Sequence, residues 1–343
     1  MTESRKVQKV GYSTLTVSIP AEYARELELK EGDSVLFREE TDGTRKLIPA
    51  AKGGRTTKAS IKADLVESEE LLTRVIVSCY VLGYDTIELA SKNGIRSSHL
   101  GVATKTMRRL RGVEIVESSQ NRLRAQSFID PTKFPVDSLI KRLQLLVSRT
   151  MEYSLQALQR GGPALLNDVR RIQDELDELY WLIVRQLLVA LNNREVASKI
   201  GLESPLHASG DRVSAKTIEE IGRIMTELTE EIVRLREIGV KIEGEVPSRI
   251  EALARKAQDS FNTTIEGLLS SDIHMIEKAT KLVSETIAME RETMQQLESA
   301  ERAFSRTIIS DLGQVARYCN IIIEIALNRL LRKTSRICVI QSQ

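Results

Sequence analysis

The stretch TIEEIGRIMTELTEEI, residues 217–232, is a carboxylate-rich helical sequence, with Glu219, Glu220, Glu227, Glu230 and Glu231 spaced along it. Carboxylates at helical spacing can collect a metal ion, because hard cations take several oxygen ligands. Arg223, however, stands one turn after Glu219, where a metal site would take another acid. Three readings follow: a metal-binding helix, a degenerate one whose arginine pairs with acids across a groove, or a solvated face of i,i+4 pairs.

The pattern returns near the end of the chain. In SDLGQVARYCNIIIEIA, residues 310–326, sliding Arg223 onto Arg317 places Ile218 on Leu312, Ile221 on Val315, Gly222 on Ala316, Leu228 on Ile322 and Glu230 on Glu324. Both stretches read apolar, two spacers, apolar, small residue, arginine; the small residue lets a neighbouring helix approach closely. Helical periodicity runs on from Val136, with breaks at Gly161-Gly162-Pro163, Gly201 to Gly210, Gly244 to Pro247, Ser270-Ser271-Asp272 and near Ala300. Six helices are expected, at roughly 136–160, 164–194, 211–237, 248–269, 272–299 and 303–333. Short links between them make an antiparallel bundle of two three-helix repeats, 136–238 and 245–333.

Upstream the periodicity changes. Residues 59–130 alternate strand and helix signals: ASIKADLV, a helix capped by Ser68 and stopped at Gly83, YDTIELAS, a helix ending in MRRLRG, then VEIVES and NRLRAQSFI as a hairpin. This order suggests a small ferredoxin-like α/β domain. Lys105, Arg108, Arg109 and Arg111 gather at one helix end, with Arg122 and Arg124 on a nearby strand, and read either as an anion site or as cations favoured by the helix dipole. In residues 1–52, Leu15, Val17 and Ile19 alternate with Thr14, Thr16 and Ser18 up to Pro20. A short helix, the turn Lys30-Glu31-Gly32-Asp33 and a hairpin around Asp42-Gly43 follow. Such a small unit has too little core to stand alone, so oligomerisation is expected. Lys52, Arg55 and Lys58 fall in a Gly-rich linker.

Composition excludes several functions. The 343 residues carry 50 basic and 48 acidic side chains, so any nucleic-acid surface is local. Aromatic residues, at 4%, are too few for a base-stacking platform. The three cysteines, Cys79, Cys319 and Cys338, lie far apart and suggest a reducing compartment. The apolar runs from Tyr180 and from Asn320 carry charge and fall short of the ~20 residues a bilayer span needs, so a cytoplasmic protein without membrane insertion is expected. Tyr180 and Trp181 read as core. His99, His207 and His274 are dispersed, and GGRTTK at Gly53 lacks the spacing of a phosphate-binding loop, so no enzyme is expected.

Two resemblances refine this. RKVQKVGYSTLTVSIPAEYARELELKEGDSVLF, residues 5–37, resembles the AbrB/SpoVT swapped-hairpin family. The shared features are a basic first strand, a Gly-x-Ser/Thr step, an x-Thr-Val-x-Ile-Pro strand and a Leu-Lys-x-Gly-Asp-x-Val turn. It implies a homodimer that contacts DNA through basic residues, here Arg5, Lys6 and Lys9, with Arg25 a further candidate. DELDELYWLIVRQL, EEIGRIM and VARYCNIIIEIALN resemble the PhoU family of phosphate-uptake regulators, built from two three-helix repeats. The resemblance implies an association with a phosphate ABC transporter, and in that family paired acids on the third helix of each repeat can hold a metal cluster with acids of the preceding helix. This chain departs from that pattern. Glu219 keeps the first acid but Gly313 replaces it in the second repeat, while Arg223 and Arg317 stand at the second acid; Asp177 keeps an acid on the preceding helix, preceded one turn earlier by Gln173. No cofactor is therefore expected. Arg223 is expected instead to pair with Asp177 and Glu219 across the groove, and Arg317 with Glu285, Glu290 or Glu292. The fold class expected is mainly α with a small α+β N-terminal part: a swapped-hairpin domain, a small α/β domain, then two tandem three-helix bundles. The function expected is a DNA-binding regulator of phosphate uptake, or alternatively an adaptor that inhibits a transporter and uses its first domain to dimerise.

Overall fold

The computed structural model describes residues 4–26, 28–39, 44–49, 57–160, 162–239, 246–297, 302–332 and 337–339. The expected turn at Asp42-Gly43, the linker cations Lys52 and Arg55, and the breaks at Gly161, Gly244 and Ala300 lie outside them. The chain divides into a unit of residues 1–56 and a compact unit from Thr57 onward.

In the first unit, β1 (Gln8–Val10) and β2 (Thr14–Thr16) form an antiparallel pair, turned at Gly11 with φ +69°. A short helix α1 (Ala21–Glu26) follows Pro20. The Lys30–Asp33 turn forms as expected: Asp33 accepts the Lys30 amide at 2.7 Å, and Gly32 supplies φ +92°. Then β3 (Val35–Glu39) pairs antiparallel with β4 (Arg45–Pro49). Among its residues whose side chains are described none is buried.

The second unit opens with an α/β layer. Its strands are β5 (Lys58–Lys62), β6 (Thr86–Ala90), β7 (Val113–Ser118) and β8 (Arg122–Ser127), in sheet order β5-β6-β8-β7. Two helices, α2 (Glu69–Val81) and α3 (Ser97–Arg109), share one core with the sheet, in which Leu72, Ile76, Tyr80, Leu89, Met107 and Leu123 are buried. Ser68 caps α2 as expected, accepting the Leu71 amide at 3.1 Å. The connectivity departs from the ferredoxin-like type. There, split βαβ units make every neighbouring pair antiparallel; here β5 and β6 are parallel neighbours joined through α2. Lys58 is also no linker residue. It opens β5, and its ammonium donates at 3.0 Å to Glu88 of β6, a carboxylate that this bond holds below the usual range.

The rest is helical: α4 (Val136–Arg160), α5 (Pro163–Asn192), a short α6 (Arg194–Lys199), α7 (Pro205–Glu237), α8 (Val246–Ser270), α9 (Ile273–Gln295) and α10 (Arg302–Leu330). Helices α4, α5 and α7 pack as one trio and α8, α9 and α10 as another, joined through α4 with α8 and α7 with α10. One apolar core runs through both. Across the junction, Asn262 of α8 accepts hydrogen bonds from Gln144 at 2.9 Å and Ser148 at 2.7 Å of α4. The third long helix starts at Pro205 rather than 211, and α6 is additional to the six expected. Gly210 is no loop residue. It lies inside α7, where a Cβ would come 2.9 Å from Ile325 of α10, so the glycine serves a close helix crossing.

Candidate functional site

The four cations expected on DNA all lie in the first unit and are exposed. Arg5 and Lys6 precede β1, and Lys9 lies within it, opposite Leu15 of β2. Arg25 sits in the last turn of α1, where its Nε donates to the Ala21 carbonyl at 3.3 Å.

In the first trio, Glu219 is buried, with 2% of its side chain exposed. It accepts from Arg223, one turn on along α7, and from Lys216 at 2.6 Å. Glu220 takes Lys216 at 2.5 Å and Arg223 at 3.4 Å. Arg223 is thus bonded along its own helix, and Asp177 of α5 is engaged elsewhere. It accepts from Gln173 at 2.9 Å and from Arg109 of α3 at 3.5 Å. The expected Arg223–Asp177 pair is not among these bonds, although the charge of Asp177 still acts on Arg223. Gly222 sits directly against α5, where a Cβ would lie 2.5 Å from Leu176.

The second trio differs. Arg317 of α10 reaches across to Glu290 of α9 and donates to both carboxylate oxygens, at 2.9 and 2.6 Å. Of the other two candidate acids, Glu285 pairs instead with Lys256 at 2.7 Å, and Glu292 accepts from Gln296. Only 7% of the Glu290 side chain is exposed. It fits because residue 313 is glycine: a Cβ there would overlap the Glu290 carboxyl group. Glycine at the expected acid position was the sequence signal for this pair.

Sequence reading also missed how the α/β layer meets the bundle. Arg109 reaches Asp174 at 2.8 Å, Asp177 at 3.5 Å and Glu178 at 3.7 Å, and Arg111 reaches Glu175 at 3.5 Å and Glu178 at 3.8 Å. These arginines clasp the acidic face of α5, and Arg124 pairs with Glu117 at 3.3 Å. Lys105 and Arg108 remain on the exposed face of α3. Trp181 of α5 packs into the α/β core with Arg109 over its ring at 5.3 Å, and Arg185 of α5, 4% exposed, enters the same junction.

The grooves do not fit a metal cluster. Among the described residues no three His, Cys, Asp or Glu side chains converge on one point. A guanidinium already lies on Glu219 and on Glu290. Asp311 of α10 also stands apart. Burial, reinforced by Glu227, pushes its pKa from 3.8 up to about 6. Its charged form is therefore penalised in the folded state. The stability it contributes is complete below about pH 4 and falls as pH rises through about 6. Asp311→Asn is expected to raise stability at pH 7 by roughly 1 kcal/mol, discounted because water screens its open side, and by almost nothing at pH 4. Urea midpoints at the two pH values check this.

Two stretches of the chain match known family models. Residues 8–55 match the family model described as antidote-toxin recognition MazE, bacterial antitoxin. Residues 140–232, which hold α5 and most of the Arg223 helix, match the PhoU domain. No curated protein matches the chain. The chain is thus similar to a MazE/AbrB-type domain near its N-terminus and to a PhoU domain in its helical half.

Proposed function

We propose that this protein is a DNA-binding regulator of phosphate uptake, working in the cytoplasm as a homodimer. In this reading the paired N-terminal units grip DNA and the PhoU-type bundle reads a partner or ligand, with a phosphate ABC transporter component as the expected partner. Both matched families are regulatory and non-catalytic, which supports a regulator over an enzyme. Among the described residues no helix is long and apolar enough to cross a membrane.

The observation that carries the proposal is the state of the first unit. Val10, Leu15, Val17, Leu36 and Phe37 are all at least half exposed, and none of the unit's residues whose side chains are described is buried. Apolar strands of this kind gain their core from a second copy. Pairing two copies doubles Arg5, Lys6 and Lys9 on one surface, and each phosphate neutralised releases counterions.

The test is a gel shift on promoter DNA across a salt series, beside a measurement of oligomeric state. Dimers that shift DNA at low salt and release it steeply as salt rises are expected. Changing Arg5, Lys6 and Lys9 to Ser should flatten the slope of log K against log salt by roughly 0.9 for each phosphate no longer neutralised. Intact dimers with no shift at low salt would sink the regulator reading and leave the adaptor.

A further inference from the structure

The two helical trios present one carboxylate to one arginine by different routes. In the first, Glu219 comes from the same helix as Arg223, one turn before it. In the second, the residue one turn before Arg317 is Gly313, and the carboxylate arrives from α9 as Glu290. Glu290 fills the space a side chain at 313 would need. Both carboxylates are nearly buried, at 2% and 7% side-chain exposure, and both contact the Nη2 of their arginine. The acid has moved to another helix while the arginine has kept its place.

We infer that Arg223 and Arg317 are the resident cations of two equivalent carboxylate sites, and that the bundle holds these buried acids with guanidinium groups where its family resemblance would place metal ions. A carboxylate removed from water needs a counter-charge and hydrogen bonds, or it loses its charge. A planar guanidinium supplies both and occupies the lone pairs a metal would need. A divalent ion brought to the same oxygens would lie against a fixed positive charge. Among the described residues the neighbouring acids are already taken by cations or amides, Glu220 by Lys216 at 2.5 Å and Arg223 at 3.4 Å. Lys216 already shares Glu219, and Asp177 is held by Gln173 and Arg109. The cavity beside Glu290, about 430 Å³, is lined further by Arg291, Met294, Gln295, Leu297 and Arg306. A chance surface pair would not need positions 290, 313 and 317 to fit together; this site does.

The inference is independent of DNA binding and is tested on the full chain. Protein incubated with Mn(II), Fe(II) or Zn(II) alone and then desalted is expected to retain far less than one metal per chain, and its melting temperature should not respond to EDTA. Stoichiometric retained metal by elemental analysis, or a chelator-sensitive melting temperature, would overturn it. Arg223→Asp removes the cation and adds an acid beside Glu219, so it should gain retained metal; content equal to the native chain's counts against the arginine's role. Equivalence of the two sites is read from a swap. Gly313→Glu and Glu290→Gly should each lower the melting temperature by several degrees, and together they should recover most of that deficit, since the carboxylate then stands one turn before Arg317 as Glu219 stands before Arg223. A double variant as unstable as the sum of the two singles overturns the equivalence.

Discussion

Arg329→Ala is expected to destabilise the folded protein by about 3–5 kcal/mol, the range for removing one partner of a buried ion pair. Arg329 stands in the last turns of α10 with a tenth of its side chain exposed. It donates to Asp211 at the start of α7 at 2.5 Å and to Asp137 at the start of α4 at 3.0 Å. Its other Nη reaches the Leu268 carbonyl of α8 at 3.3 Å. One guanidinium thus ties together four helix ends from both trios. Asp211 is 3% exposed, so without its partner it becomes an unmatched buried charge. Burial already pushes its pKa up, against the pull of Arg329. Removing the arginine raises it further, so the deficit should be larger at pH 7 than at pH 4, where the carboxyl can be protonated. Urea denaturation followed by far-UV circular dichroism measures this, and Asp211→Asn combined with Arg329→Ala should lose less than Arg329→Ala alone.

Arg185→Ala is expected to cost about 1–3 kcal/mol, the range for a buried acceptor left without its donor, and to loosen the α/β layer from the bundle. The arginine projects from α5 into the end of α2, where it donates to the Tyr80 carbonyl at 2.6 Å and the Tyr84 carbonyl at 3.1 Å. The Tyr80 carbonyl also accepts the Gly83 amide at 3.0 Å, so Arg185 adds a second donor there, while the Tyr84 carbonyl lies just beyond the end of α2. Another module supplies that donor, with the guanidinium over the Tyr80 ring at 4.9 Å. Alanine also forfeits the attraction between that cation and the ring. Arg185→Lys should restore little, because one ammonium cannot reproduce the planar fork. Faster hydrogen exchange through α2, with α8 and α9 unchanged, is the expected signature; uniform acceleration across the bundle would contradict a local joint.

Local signals in this sequence were legible and distant ones were not. Ser68, the Lys30–Asp33 turn and most helix ends were readable because caps and turns are encoded within a few residues. Gly210 misled, since its glycine answers to Ile325 more than a hundred residues away. The partner of Asp177 could not be read either: Arg109 lies 68 positions upstream, on an element whose docking no periodicity reports. The sheet connectivity went astray for a related reason. The order of elements along the chain says which strands exist, whereas parallel pairing of β5 with β6 depends on how α2 crosses. At Gly313 the information was present, as a missing acid, but its meaning depended on Glu290 from another helix.

The junction between the α/β layer and α5 has a kinematic consequence. Arg185 lies seven to eleven residues beyond the acids from Asp174 to Glu178, so the layer is pinned at two points roughly 10–16 Å apart along one helix axis. A single pin would leave a hinge; two leave none. The pins differ in kind, however. The acid end is partly open to water and weakens as salt screens it, while the Arg185 end is a buried bond to carbonyls that salt scarcely reaches. Rising ionic strength would release the first and spare the second, turning a rigid splint into a pivot about Arg185.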